Sequence, residues 1–238
     1  MPQRPNTPQN QILSALPAEE YQRLLPHLEV VDLPIRKVLF GSGDRIEYVY
    51  FPHRSIISLV TILDDGATVE VGLVGNEGMA GVEVFLDDAI ATNQAIVQVA
   101  DSATRLPASV LKAEFNRCET LQKLLLHYMN ALFFQVSQGA ACYRRHPIEE
   151  RLARWLLMVS DRVGSDEITL THDFISQMLG TRRAGVTIAA GALKQAGLIR
   201  YHRGNIMILE HQQLEEVACE CYQLTKSMFK SLSIAQLS

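Results

Sequence analysis

Between Phe174 and Leu209 the chain has no acidic residue, and between Arg54 and Arg105 it has no lysine or arginine. The first gap holds five basic residues, Arg182, Arg183, Lys194, Arg200 and Arg203, on a 238-residue chain of net charge −4. Affinity for a phosphate backbone needs such a local positive face rather than a basic protein overall. Cysteine is scarce too. Cys118, Cys142, Cys219 and Cys221 are spread over two regions, which excludes a disulfide framework and fits reduced thiols. Cys219 and Cys221 are two apart in an expected helix, where their side chains would point about 200° apart, so they make a poor clamp and no metal is expected. No apolar run reaches the roughly 18 residues that span a bilayer. The start MPQRPNTPQNQ lacks the apolar core of a signal peptide, and a cytoplasmic protein without a membrane partner is expected. A nucleophile elbow, an HxxxH metal pair and a Walker loop are all missing, and GNEGMAG is not a GxGxxG opening a helix, so no catalytic residue is expected. Glu77 and Glu83, six apart in a loop, read as solvated or pocket polar groups.

What is present fits a globular protein of two units, at 47% hydrophobic and 20% charged residues. Thr171 offers a helix cap, and Phe174, Ile175, Met178 and Leu179 make an apolar stripe behind it. Gly180 stops that helix. A second helix from Thr181 to about Ala196 presents Arg182, Arg183 and Thr187 and turns Val186, Ala189, Ala190 and Leu193 inward, with Gly197 closing it. Its many small residues, Ala184, Gly185 and Gly191 among them, suit a helix held close to neighbours or to a groove. Leu198 and Ile199, the polar run to Asn205, and the alternating Ile206 and Ile208 read as two short strands about a turn at Gly204-Asn205, a basic wing. Two short helices and a wing are a shape that reads DNA.

Upstream the period changes. After a polar tail and a short helix near residues 17–25, the stretches 38–40, 48–51, 56–63, 68–74 and 95–99 are rich in β-branched and aromatic residues and separated by turn signals, which predicts an antiparallel barrel or roll. Residues 108–115 read as a short helix. A long helix from about Glu119 to Cys142 carries Leu121, Leu125, Tyr128, Leu132 and Val136 at three- and four-residue steps. Such a stripe wants a partner, either the chain's own barrel or its own copy in a symmetric dimer. His146-Pro147 marks a hinge before a helix at 148–163.

A roll, a long helix, a hinge and a winged helix-turn-helix in this order resemble the Crp/Fnr family of bacterial transcription regulators over nearly the whole chain. The resemblance is most specific in LTHDFISQMLGTRRAGVTIAAGALKQAGLI, residues 170–199. It implies an α+β architecture: an N-terminal antiparallel β-roll of the cyclic-nucleotide-binding-like jelly-roll kind (1–117), a dimerisation helix and hinge (118–145), and a C-terminal winged helix-turn-helix DNA-binding domain (146–238). It implies a homodimer paired through Leu121, Leu125, Tyr128, Leu132 and Val136, which binds a two-fold symmetric operator in double-stranded DNA and controls transcription with RNA polymerase. DNA contacts are expected from Thr171, Thr181, Arg182, Arg183, Gly185, Thr187, His202 and Arg203. The roll either binds nothing or takes a small-molecule effector, which would sit near Gly81, Val82, Glu83, Thr92 and Asn93.

Two departures qualify the likeness. Of the family's Arg-Glu-x-x-x-Arg reading pattern only Arg183 is kept, because the other two positions are Ala184 and Ile188. Losing a Glu and an Arg removes two direct base readouts, so a different half-site is expected. Cyclic-nucleotide binders of the family use an arginine to neutralise the phosphate, and no cation lies between Arg54 and Arg105, so cAMP is not the expected ligand and no cofactor is expected. An iron-sulfur sensor would need clustered N-terminal cysteines, and the first here is Cys118. His53 in a barrel turn reads as a solvated histidine rather than a haem ligand. The alternative reading is an adaptor whose winged domain contacts a protein partner.

Overall fold

A computed structural model describes residues 8–86, 88–202 and 204–230. The described residues divide into two compact units, one made of 8–58 and 74–131, the other of Leu59–Leu73 and Leu132–Lys230.

In the first unit, α1 (Gln11–Ser14) is capped by the buried Asn10, whose Oδ1 accepts from the Ile12 and Leu13 N–H groups and whose Nδ2 donates to the Pro52 and Gly78 carbonyls. One polar side chain thus ends a helix and fastens it to the roll. Along the chain, after α2 (Ala18–Leu24), come β1 (Glu29–Leu33), β2 (Val38–Phe40), β3 (Tyr48–Pro52), β4 (Ile56–Ile62), β5 (Thr68–Val74), α3 (Glu83–Leu86), β6 (Gln94–Val99), β7 (Asp101–Pro107), α4 (Ala108–Phe115) and α5 (Thr120–Arg145), with Leu59–Leu73 of β4 and β5 and the part of α5 from Leu132 belonging to the second unit. The strands form two sheets, in the orders β1-β7-β3 and β2-β6-β4-β5. The five expected strands are present to within two residues. The sequence pattern misses β1 because it is an edge strand in which only Leu33 is buried, so no alternation shows. Its register is marked by Glu29 opposite Arg105, paired at 2.7 Å.

The Glu20 carboxylate, buried on α2, accepts the Thr120 and Leu121 N–H groups at 3.1 and 2.8 Å and caps α5. A negative charge at that end also complements the helix dipole. His53 is buried and not solvated: its Nδ1 lies 2.9 Å from Ser102 Oγ and its Nε2 2.9 Å from Thr104 Oγ1, so neither nitrogen is left for a haem iron.

The second unit contains α6 (Ile148–Val163), β8 (Glu167–Thr169), α7 (His172–Met178), α8 (Arg183–Gln195), β9 (Ile199–His202), β10 (Asn205–Ile208), α9 (His211–Val217) and α10 (Cys221–Lys230). Helix α6 is its axle, with every residue from Arg151 to Ser160 buried. Acidic Glu149 and Glu150 open it and Gly164, in the left-handed conformation, closes it. Trp155 is fully buried, and its Nε1–H donates to the buried Glu70 carboxylate at 3.0 Å. The Tyr143 hydroxyl donates to the Glu70 carbonyl at 2.9 Å, and burial pushes its pKa up to about 12. Residues 59–73 are therefore part of this unit's core, bound to it by hydrogen bonds of β5. The Arg151 guanidinium stacks 4.6 Å from the Tyr143 ring centroid and donates to the Leu179 carbonyl, which positions the end of α7.

The expected helix through Cys219 and Cys221 is not continuous. It stops at Val217, Ala218 turns extended (ψ 145°), and α10 begins at Cys221. The 200° divergence expected of these two thiols holds only on an unbroken helix, and the kink removes it.

Candidate nucleic-acid interface

Thr171 caps α7 as its position in the sequence implies, its hydroxyl accepting the Phe174 N–H at 3.2 Å. Phe174, Ile175, Met178 and Leu179 are all buried. Gly180 then takes φ +56°, a conformation that a residue with a Cβ resists, and such a Cβ would stand 3.1 Å from a Val69 methyl. The Thr181 N–H returns to the Ser176 carbonyl at 2.9 Å and completes the turn.

On α8 the inward residues are Val186, Ala189, Ala190 and Leu193, as their spacing predicts. The opposite face exposes Ala184, Thr187, Ile188, Gly191, Lys194 and Gln195. Arg182, the N-cap residue, and Arg183 are exposed at the helix N-terminus, which already carries a partial positive charge, so this end favours anions. Gly185 has a different place. A Cβ there would lie 2.8 Å from Ile148 Cδ1, so the glycine lets α8 approach α6.

The wing is three-stranded, in the order β8-β10-β9, with His202 opposite Asn205 across the turn. Leu198, Ile199, Ile206 and Ile208 are buried beneath it, and Arg200 and His202 are exposed. Arg203, an expected DNA contact, lies outside the described residues. Strand β8 was not expected, and at three residues it is too short to show a period.

Sequence reasoning also passed over His172. Its ring stacks on Tyr201 at 4.1 Å, and its Nδ1 sits 3.1 Å from Thr187 Oγ1. Because the Thr187 hydroxyl donates to the Arg183 carbonyl at 3.0 Å, the histidine donates to it from Nδ1. Burial, together with the neighbouring Arg183 charge, lowers the His172 pKa and favours the neutral form. The clamp joins α7, α8 and β9. It also engages the Thr187 hydroxyl, which turns this expected contact partly into a scaffold residue. Nothing in the one-dimensional pattern pairs His172 with Tyr201.

In the first unit, Glu83 Oε1 accepts from the Thr92 N–H (3.1 Å) and hydroxyl (2.9 Å), and Asn93 Nδ2 donates to Thr92 Oγ1 at 3.2 Å. The expected effector residues Glu83, Thr92 and Asn93 thus come together. Val82 is buried, and Gly81, at φ +99°, packs against Val49.

The expected self-pairing residues are placed differently. Leu121, Leu125, Tyr128 and Leu132 are buried within the chain, and the Tyr128 hydroxyl donates to the Met79 carbonyl at 3.0 Å. Four residues of the named stripe therefore belong to the chain's own core, and Val136 is half-buried. The apolar side chains that α5 leaves accessible are Leu126, 47% exposed, and Phe133, 64% exposed.

Residues 150–217 match the model of the Crp-like helix-turn-helix domain. The chain is 24% identical over 186 residues to the global nitrogen regulator of Nostoc sp., covering 72% of this chain and 81% of that protein. It is 21% identical to the CRP-like cAMP-activated global transcriptional regulator of Mycobacterium tuberculosis, over 80% of this chain and 88% of that one. A Crp/Fnr-family transcriptional regulator from Eubacterium rectale superposes with a TM-score of 0.69 at 16% identity, covering 88% of this chain and 98% of that one. No helix among the described residues is long and apolar enough to cross a membrane.

Proposed function

We propose that the chain, whose residues 150–217 match the Crp-like helix-turn-helix domain, is a transcription regulator of Crp/Fnr type that acts as a homodimer on a two-fold symmetric DNA operator. The observation that carries this is the exposed α8 face, headed by Arg182 and Arg183, beside a wing that presents Arg200 and His202, with no acidic residue from Phe174 to Leu209. Arg183 takes the guanine-reading position, Arg182, Thr181 and Thr171 lie near phosphates, and the wing follows the backbone. Ile188, 75% exposed on the reading helix, suits a thymine methyl rather than a hydrogen-bonded base edge.

Pairing uses the accessible α5 face, where Leu126 and Phe133, seven apart, alternate with Met129 and Val136, also seven apart, in the a/d spacing of a two-helix seam. Two reading helices related by that two-fold would meet half-sites about one helical turn apart. RNA polymerase is the second macromolecular partner of a regulator working in this way. The roll takes an effector other than cAMP or none: residues 55–104 hold no lysine or arginine for a cyclic phosphate, and the Glu83 carboxylate is already engaged by Thr92.

Selection from random duplexes at two salt concentrations tests this reading. The expected product is a palindrome that Arg183→Ala no longer enriches, with affinity falling log-linearly in salt. Absence of any salt-sensitive duplex binding would replace it with the adaptor reading.

A further inference from the structure

Three of the four cysteines and one histidine meet where α5 ends beside the α9–α10 junction. Cys142 and His146 stand four residues apart at the end of α5, and the His146 N–H still bonds the Cys142 carbonyl at 3.0 Å, so both side chains leave the same helix face. The kink between α9 and α10 delivers Cys219 and Cys221 to that face. The four donor atoms all lie within 4.8 Å of one another, and the three cysteines are buried. We propose that Cys142, His146, Cys219 and Cys221 form a metal site for a zinc-class divalent ion.

The distances suit tetrahedral coordination. Bonds of about 2.3 Å to sulfur and about 2.0–2.1 Å to nitrogen give edges of roughly 3.8 Å between two sulfurs and roughly 3.6 Å between sulfur and nitrogen. Cys142 Sγ and Cys219 Sγ are 3.5 Å apart, and Cys221 Sγ and His146 Nδ1 are 3.7 Å apart. The surrounding groups are those a site needs. His146 Nε2 lies 3.2 Å from the Glu220 carboxylate, which holds the proton on Nε2 and leaves the Nδ1 lone pair facing the thiols. Gln138 Nε2 donates to Cys221 Sγ at 3.2 Å. Three thiolates and a divalent ion carry a net charge of −1, and the buried Arg154 guanidinium, within Coulombic reach of Cys142 and Cys219, offsets it.

The donor set favours zinc over calcium or magnesium, which take oxygen ligands, and four protein ligands make a closed, structural site. Binding replaces three thiol protons with the metal and requires no oxidant. The ion would fasten the end of α5 to the α9–α10 junction.

The full chain, purified under reducing conditions, would be assayed for zinc and titrated with cobalt(II). The expected result is one zinc per chain and a saturating cobalt spectrum with thiolate-to-metal charge transfer and tetrahedral d–d bands. Glu220→Gln should weaken affinity by about 10-fold to 100-fold and Cys221→Ser by more, while Cys118→Ser leaves it unchanged. Wild-type protein without stoichiometric zinc and without the charge-transfer band would overturn the proposal, and so would zinc content that survives Cys142→Ser and Cys221→Ser. A Cys142–Cys219 disulfide that forms as readily with zinc as without it would also overturn it. The wild-type measurement decides even if a variant misfolds.

Discussion

The same substitution, glycine to alanine, should act with opposite sign at two positions only eleven residues apart. Gly191 lies exposed inside α8, and a Cβ at that position would meet nothing within 4 Å. Alanine there should stabilise by roughly 0.5–1 kcal/mol, because glycine is the poorer helix former and loses more backbone freedom. Gly180 sits at φ +56° with Val69 methyls 3.1 and 3.2 Å from a Cβ. The left-handed conformation costs a Cβ-bearing residue about 1–2 kcal/mol, and crowding Val69 adds about 1 kcal/mol. The two variants should therefore differ by roughly 3 kcal/mol, about a hundredfold in the folding equilibrium. The single tryptophan, Trp155, lies in the core of the same unit, so its fluorescence follows the relevant transition during urea unfolding. With slopes of about 1–3 kcal/mol per molar, the midpoints should separate by roughly 1–3 M, with wild type between them. Adding Val69→Ala to Gly180→Ala should recover only the crowding part. Shifts in the same direction, or no shift for Gly180→Ala, would refute the reasoning.

The lowered His172 pKa means that the folded state prefers the neutral ring. This stability contribution is complete above the ordinary histidine value of about 6.5 and is lost as the pH falls from there toward the depressed folded value. A flatter pH dependence of the Trp155 midpoint in His172→Gln between pH 7.5 and pH 5.5 is expected, to be read against wild type. Replacing each thymine of the selected operator in turn by uracil should weaken wild-type binding at the base that Ile188 meets, and the effect should vanish in Ile188→Ala; gel shift measures both. Phe133→Glu should convert a dimer to a monomer in sedimentation experiments, whereas Leu125→Ala, in the chain's own core, should lower stability by about 2–5 kcal/mol and leave association unchanged.

The helix-turn-helix was legible because both determinants are local: a cap at Thr171 and apolar residues at helical spacing, with glycines ending each helix. Helix α6 was legible to the residue, since Pro147 starts it and Gly164 stops it. Which stripe of α5 the chain buries for itself could not be read from spacing, because two apolar stripes share that helix. Leu121, Leu125, Tyr128 and Leu132 form the longer and more regular one, which is the one the chain buries for itself. Spacing reveals a stripe but not its partner. Contacts between residues far apart in the chain were invisible for the same reason: His172 with Tyr201, Glu20 with the start of α5, and Cys142 with Cys219 each depend on where the fold brings two segments. The short strands β1 and β8 carry too few buried residues to show alternation.

The core around Trp155 contains residues from β5 that lie more than sixty positions before α5 ends. A gene segment encoding only the C-terminal part of the chain would omit Val69 and Glu70. The Trp155 Nε1–H and the Tyr143 hydroxyl would then lose acceptors that lie 3.0 and 2.9 Å away in the intact chain. The helix-turn-helix unit is therefore not a detachable cassette. Recombination that grafted it onto another protein would have to carry the β4–β5 hairpin along to keep these acceptors, which constrains how this architecture can be reshuffled in evolution or by an engineer.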